Sequence, residues 1–375
     1  MQIKADKKFR LPGQPGNFSE INSLQKNTPQ NQRLRRGAEP MNIVILDDYQ
    51  DAVRKLHCAE RLDPYSAKVY TNTVKGLGQL SVRLRDADVI VLIRDRTQIT
   101  RQLVEKLPRL KLIAQTGRVG SHIDLAACTE HGIAVAEGVS SPVAPAELTW
   151  ALIMAAMRRL PQYISNLKHG AWQQSGLRTA SMPPNFGLGC ILRGKTLGIW
   201  GYGRIGQIVA GYGRAFGMNV RVWGREASRA QALSDGLQVA ATRAEFFSQC
   251  DVVSLHIRLT DETRGLVTLD DLSCMKPTAL LVNTSRAELI EPDALIAGLN
   301  RGRPGMAAVD VFESEPILQG HALLRLENCI CTPHIGYVEQ DSYELYFGSA
   351  FDNVVNYIKG TPTNIVNPGA LQVRR

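Results

Sequence analysis

The stretch Gly201-Tyr202-Gly203-Arg204-Ile205-Gly206 follows an apolar run, Thr196 to Trp200, and opens a segment with apolar residues at Ile205, Ile208, Val209, Tyr212 and Phe216. The run reads as a buried strand, and the spacing after it places the apolar residues on one helical face. Strand, G-x-G-x-x-G and helix in this order predict a dinucleotide site. Gly201 allows the tight turn, Gly203 lets the backbone approach a pyrophosphate, and Gly206 lets the helix pack close to the strand. Backbone N–H groups at the helix start, near Arg204 and Ile205, then face the phosphates with the helix dipole behind them.

Around this stretch the chain alternates. Strand-like runs occur at Asn42–Leu46, Val89–Ile93, Leu110–Ala114, Ile133–Ala136, Val220–Trp223, Val252–Leu255, Ala279–Asn283 and Met306–Val309, with helical segments between most of them. That is the pattern of an α/β protein with parallel sheets. A nucleotide unit beginning near residue 195 leaves enough ordered chain before it for a second α/β domain. A helical segment from about Ala144 to Leu160 is the expected bridge. Residues 1–40 are polar, rich in Gln, Asn and Pro, and almost without apolar periodicity, which predicts a disordered extension with the folded unit starting at Met41.

Composition excludes several classes. Of 375 residues 44% are hydrophobic, enough for a sizeable core. The net charge is +9, but residues 1–40 carry eight Lys/Arg against Asp6, Glu20 and Glu39, so the remainder is only mildly basic. With no aromatic-interleaved basic face, a nucleic-acid partner is not expected. No run approaches the roughly 20 apolar residues that span a bilayer, and the N-terminus lacks a hydrophobic signal core. The seven cysteines are scattered, with no C-x-x-C. This argues against a disulfide framework or a zinc site and suits a reducing cytoplasm. Cys329 and Cys331 read as one strand with both thiols on the same side, and no metal is expected.

Three segments at the ends of strand-like runs carry chemistry: Asn283-Thr284-Ser285-Arg286, Asp310 through Glu315-Pro316, and Thr332-Pro333-His334-Ile335-Gly336. Ligands of open parallel sheets lie beyond the carboxyl ends of the strands, so all three can converge on one cleft. Hydride transfer to a 2-oxo acid leaves an alkoxide that needs a proton, and a His donates one near neutral pH. A carboxylate on the other ring nitrogen fixes the tautomer. An Arg holds the substrate carboxylate with a planar fork of donors. His334, Glu315 and Arg286 supply that set.

These segments, with the lead-in Arg193-Gly194-Lys195-Thr196-Leu197-Gly198-Ile199 and the run Leu281 to Arg286, resemble the D-isomer-specific 2-hydroxyacid dehydrogenases. The likeness extends from about Asn42 to Asn367. It implies an NAD(P)-dependent oxidoreductase acting on a small 2-oxo acid, with Arg286 binding substrate, Glu315 orienting the histidine and His334 as acid/base. It implies that Asp310 lies near the nicotinamide, and that Thr284 and Gly336 also face the cofactor. It further implies two doubly wound parallel-sheet domains. A Rossmann NAD(P)-binding domain, 143–337, is inserted in a flavodoxin-like substrate domain made of 41–142 and 338–375, the latter part bearing a helix from about Gln340 to Ile358. Family members are usually homodimers through the nucleotide domain, and no regulatory domain is expected after Arg375.

In the first domain, Gln115-Thr116-Gly117-Arg118-Val119-Gly120-Ser121-His122-Ile123-Asp124 resembles the family's Gly-rich loop. By that likeness the backbone of Arg118, Val119 and Gly120 holds the substrate carboxylate. Arg118 and His122 depart from the commoner small residue and Asn; facing solvent and touching substrate both remain open for them. Arg94, after the Val89 run, matches a position near the cleft, with a plain surface charge as the other reading. Gly224 stands where NAD-specific enzymes place a ribose-binding acid, and Arg225 follows it. The missing negative charge and the guanidinium favour NADP, against which Glu226 stands. A non-catalytic regulator of the corepressor type shares the fold and is the alternative. Formate oxidation would need Asn and Gln at positions the sequence does not identify.

Overall fold

The computed structural model describes residues 41–177 and 182–374. The expected N-terminal extension lies outside the described residues. The remainder forms two parallel sheets. The first has five strands, β1 (Asn42–Ile45), β2 (Ser66–Val69), β3 (Val89–Leu92), β4 (Leu112–Gln115) and β5 (Ala134–Ala136), in the order β2-β1-β3-β4-β5. The second has seven, β6 (Thr196–Trp200), β7 (Asn219–Trp223), β8 (Gln238–Val239), β9 (Val252–Leu255), β10 (Leu280–Asn283), β11 (Met306–Val309) and β12 (Cys329–Cys331), in the order β12-β11-β10-β9-β6-β7-β8. These are the flavodoxin-like and Rossmann orders, each with a switch point where successive connections leave in opposite directions. In the second sheet the switch lies between β6 and β9, which pair with Trp200 opposite Leu255.

Strands β3, β4, β9, β10 and β11 are buried along their whole length, because helices cover both faces of such sheets and call for continuous apolar runs. The long helix Gln340–Ile358 returns to the first sheet. Glu339 caps it by accepting N–H groups of Asp341 and Ser342. It buries Tyr343, Phe347, Phe351 and Val354 against Ile43, Val91 and Leu112. A fully buried aromatic of this kind contributes about 1.5–3 kcal/mol relative to exposure.

The expected bridging helix is Val143–Met157, and a second helix, Leu160–Lys168, begins after Arg159, whose φ is +58°. Pro161 has no N–H for the carbonyl of Met157, which instead accepts the N–H of Cys190 at 2.8 Å. Strands β2 and β8 carry no apolar run. The first is exposed on an edge and the second has only two residues, so burial leaves no trace in their sequence. Among the described residues, no helix is long and apolar enough to cross a membrane.

Candidate active site

The dinucleotide cradle sits at the end of β6. Gly201 has φ +100°, and its amide donates to Trp223 at 3.0 Å. A Cβ on Gly201 would lie 2.6 Å from the His256 carbonyl oxygen, across the switch point. A Cβ on Gly206 would lie 2.3 Å from the Gly201 carbonyl oxygen, so the helix Arg204–Ala215 touches the turn directly. Gly203 caps that helix and a Cβ there meets nothing within 4 Å. Two glycines are thus demanded by the chain's own packing, while the third leaves open space at a helix N-terminus. This arrangement fits a dinucleotide pyrophosphate. Arg204 reaches toward Ser140 at 3.5 Å, and Ile205 packs on the core.

At the end of β7, Gly224 leads to Arg225, the N-cap of the helix Glu226–Ser234. Arg225 is exposed and lies 3.4 Å from Glu262. At the end of β9, His256 is held through Nε2 by Ser254 at 2.9 Å, and burial pushes its pKa down to about 4. The sequence reading passed over His256, although the strand-end rule that found Asn283 applies to it equally.

Past β10, the Thr284 hydroxyl meets Thr149 of the bridging helix at 2.7 Å. Past β11, Asp310 is fully buried. Its carboxylate takes the Thr332 hydroxyl at 2.7 Å and the N–H groups of Ile335 and Gly336 at 2.8 and 2.9 Å. Burial raises its pKa despite these bonds and the nearby His334. Asp310 therefore braces the segment that carries His334. A Cβ on Gly336 would lie 3.3 Å from the Asp310 carboxylate, a tight contact.

His334 adopts φ +51°, and its Nδ1 lies 2.6 Å from Oε2 of Glu315. The other Glu315 oxygen accepts the Phe312 N–H at 3.0 Å. Burial pushes the Glu315 carboxyl up, but His334, the Phe312 amide and the charge of Arg286 outweigh it and hold the group below the usual range. A carboxylate–imidazole pair thus faces a guanidinium, and the three strand ends named from the sequence meet.

The first lobe closes this site. Nη2 of Arg286 donates to Asp95 at 2.6 Å, and its Nη1 donates to the Ser285 carbonyl at 2.7 Å. Arg94 has φ +51° and stacks over the Tyr337 ring at 5.6 Å, with its guanidinium against Gly117. It is half-buried, so the plain surface charge does not describe it. Arg118 is exposed, as one reading allowed. His122 is not: only 4% of it is accessible, because it lies under the loop at Gly120. The Val119 N–H points at Glu137 at 3.4 Å. Asp95 and Glu137 belong to no motif and were not anticipated; an acid between Arg94 and Arg96 was the only hint.

Comparison with known proteins agrees with this construction. The model of the family described as D-isomer specific 2-hydroxyacid dehydrogenase, NAD binding domain, matches residues 150–336. A glyoxylate reductase of Aeropyrum pernix is 37% identical over 335 residues, 88% of this chain and 96% of that protein. An oxidoreductase of Ralstonia solanacearum superposes with a TM-score of 0.87 at 63% identity, covering 88% of this chain and 98% of that one. A D-lactate dehydrogenase of Aquifex aeolicus, complexed with NAD and lactic acid, gives a TM-score of 0.66 at 30% identity, covering 87% and 99%. Likeness this extensive, over nearly the whole length of each relative, fixes the kinship: the chain belongs to the D-isomer-specific 2-hydroxyacid dehydrogenase family, NAD-dependent oxidoreductases.

Proposed function

We propose that the cleft reduces a small 2-oxo acid with NADPH or NADH, Arg286 and the 118–120 backbone holding its carboxylate. The observation that carries this is the 2.6 Å contact of His334 with Glu315 beside Arg286. When bound, the reduced nicotinamide supplies a hydride to the carbonyl carbon. Negative charge then gathers on the carbonyl oxygen. His334 gives it a proton from Nε2, since Nδ1 is engaged by Glu315. Glu315 stabilises the imidazolium before transfer and keeps the ring oriented. Arg286 polarises the carbonyl and anchors the carboxylate. Arg94, beside Gly117, adds positive charge at the same end.

Gly201, Gly203, Arg204, Ile205 and Gly206 serve the pyrophosphate. Gly224 and Arg225 serve the adenosine ribose, where NADP is favoured. Thr284, Asp310 and Gly336 line the nicotinamide end. The division into 41–142 with 338–375, and 143–337, is the one we adopt for the substrate and nucleotide domains.

The helix Leu160–Lys168 buries none of its residues and exposes Leu160, Ile164 and Leu167 on one face, with Trp172 following at 73% accessible. Such a stripe supports a homodimer. Scattered, unpaired cysteines support a cytoplasmic setting.

Relatives include enzymes named for glyoxylate and for hydroxypyruvate. The decisive assay is a panel of glyoxylate, hydroxypyruvate, pyruvate, phosphohydroxypyruvate and phenylpyruvate with NADH and NADPH. Turnover of at least one is expected. Cofactor binding with no turnover of any would favour the regulator reading instead.

A further inference from the structure

Asp95 stands between two partners. Its Oδ2 accepts from Arg286 at 2.6 Å, and its Oδ1 lies 3.4 Å from Nδ1 of His122. The second distance suits an ion pair, but the geometry makes no hydrogen bond, and among the described residues neither ring nitrogen of His122 has a hydrogen-bond partner. A buried polar group left this way costs about 1–3 kcal/mol. Both residues sit directly beneath the loop proposed to hold the substrate carboxylate. A Cβ at Gly120 would fall 3.2 Å from His122 Nδ1 and 3.8 Å from Asp95 Oδ1.

The charges facing His122 are Asp95, Arg94 and Arg286. Burial, aided by the two guanidinium groups and opposed by Asp95, lowers its pKa, so the ring is neutral at neutral pH. Burial raises Asp95, but Arg286, His122 and Arg94 outweigh it, so Asp95 is ionised. In this state the guanidinium proposed to bind substrate already holds a carboxylate of the protein's own.

A substrate carboxylate arriving at Arg286 meets that occupant. Two carboxylates on one guanidinium repel, and a neighbouring proton relieves the repulsion. An imidazole with a vacant nitrogen is 3.4 Å away. We propose that Asp95 is an internal stand-in for the substrate carboxylate, and that it passes from Arg286 to His122 as the 2-oxo acid binds, His122 taking up one proton from solvent. The balance is simple: imidazole and a solvent proton become imidazolium, Asp95 stays a carboxylate, and no covalent bond changes. A movement of less than about 1 Å brings the Oδ1–Nδ1 contact to charge-assisted hydrogen-bond length. Asp95 and His122 are thus positioning residues that set substrate affinity and its pH dependence.

The proposal rests on Arg286 as the substrate ligand. The test is calorimetric titration of oxamate, a non-reducible isostere of small 2-oxo acids, into the NADH complex. It is run near pH 8 in buffers of different ionisation enthalpy. The His334→Ala background removes the proton of the acid/base itself. Uptake close to one proton is expected there, falling toward zero when His122→Asn or Asp95→Asn is added. Uptake that is absent, or unchanged by those substitutions, overturns the transfer. In otherwise native enzyme, Asp95→Asn is expected to lower KM several-fold, whereas a purely structural Asp95 would raise KM. The KM of the native enzyme is expected to rise by up to about tenfold per pH unit above neutrality, and to be flatter in His122→Asn. Oxamate binding that survives Arg286→Gln unchanged, or fails in the native enzyme, would defeat the substrate reading itself and the proposal with it.

Discussion

His334 Nδ1 and Glu315 Oε2 meet at 2.6 Å although they extend from different strands, β12 and β11. Asp310, at the root of the Glu315 loop, clamps the backbone on the far side of His334 through Ile335 and Gly336. The imidazole is therefore held from two directions before any ligand arrives. Such preorganisation is what a general acid requires.

Replacing His334 with Ala should lower kcat by about 10²–10⁴-fold, the range for loss of general acid–base catalysis. Dinucleotide affinity should be nearly unchanged, because the cradle at Gly201 to Gly206 is separate. Steady-state rates and a fluorescence titration of the reduced cofactor measure the two. Near-normal turnover would end the assignment.

Glu315→Gln keeps the shape and removes the charge that favours the imidazolium. The pH–rate profile of reduction should then change and kcat should fall, because charge on the ring no longer has a carboxylate beside it. A pH–rate profile that stays in place would reduce Glu315 to a packing residue.

How much of this was legible in the sequence follows from where each signal resides. The core strands were readable because burial on both faces leaves unbroken apolar runs, as in Val252–Leu255 and Leu280–Asn283. The edge strand Ser66–Val69 left none. Arg286, Glu315 and His334 could be brought to one cleft from the sequence because each lies in a segment that follows a strand and their chemistry is complementary. Asp95 was not, because its partner is 191 positions away and nothing local marks it. For His122 the sequence left facing solvent and touching substrate both open; its burial under Gly120 is a tertiary fact.

The three cradle glycines should separate by experiment. Gly206→Ala places a Cβ 2.3 Å from a carbonyl oxygen, and Gly201→Ala adds a strained φ of +100° to a 2.6 Å clash. Each should destabilise the fold by about 1–3 kcal/mol, visible as a lower Tm without cofactor. A Cβ at Gly203 meets no atom of the described residues within 4 Å. Gly203→Ala should lower that Tm much less than the other two, by the preference for Gly over Ala at an N-cap, and weaken dinucleotide binding. Equal losses of Tm at all three positions would contradict the division.

Asp88 is 2% exposed and accepts the Asn42 N–H at 3.0 Å, with Arg109 at 3.3 Å and Lys111 at 3.1 Å. Burial raises its pKa, but these donors outweigh it and hold the carboxyl below the usual range. A depressed carboxylate contributes stability above its unfolded value, about 3.9, and loses it as pH falls through the folded one. Asp88→Asn should therefore cost about 2 kcal/mol at pH 7, with the gap to the native protein narrowing below about pH 4. Denaturant unfolding at both pH values checks this. A gap independent of pH would mean that only shape matters there.

Cofactor choice turns on Gly224 and Arg225. No acid directly follows β7: Gly224 and Arg225 come next, where an NAD-specific enzyme would place an acid to bond the ribose hydroxyls. Arg225, 77% accessible, is tethered among the described residues to the still more exposed Glu262 at 3.4 Å. An exposed pair of this kind contributes about 0–1 kcal/mol, so a 2′-phosphate can displace Glu262 from the guanidinium at small cost. Glu226, in the first turn of the next helix, opposes that phosphate. The balance predicts a higher kcat/KM for NADPH than for NADH, a ratio that Arg225→Ala should largely erase. Glu262→Gln, which frees the guanidinium, should raise the ratio further. A clear NADH preference in the native enzyme would reverse the assignment and make Glu226 the ribose ligand.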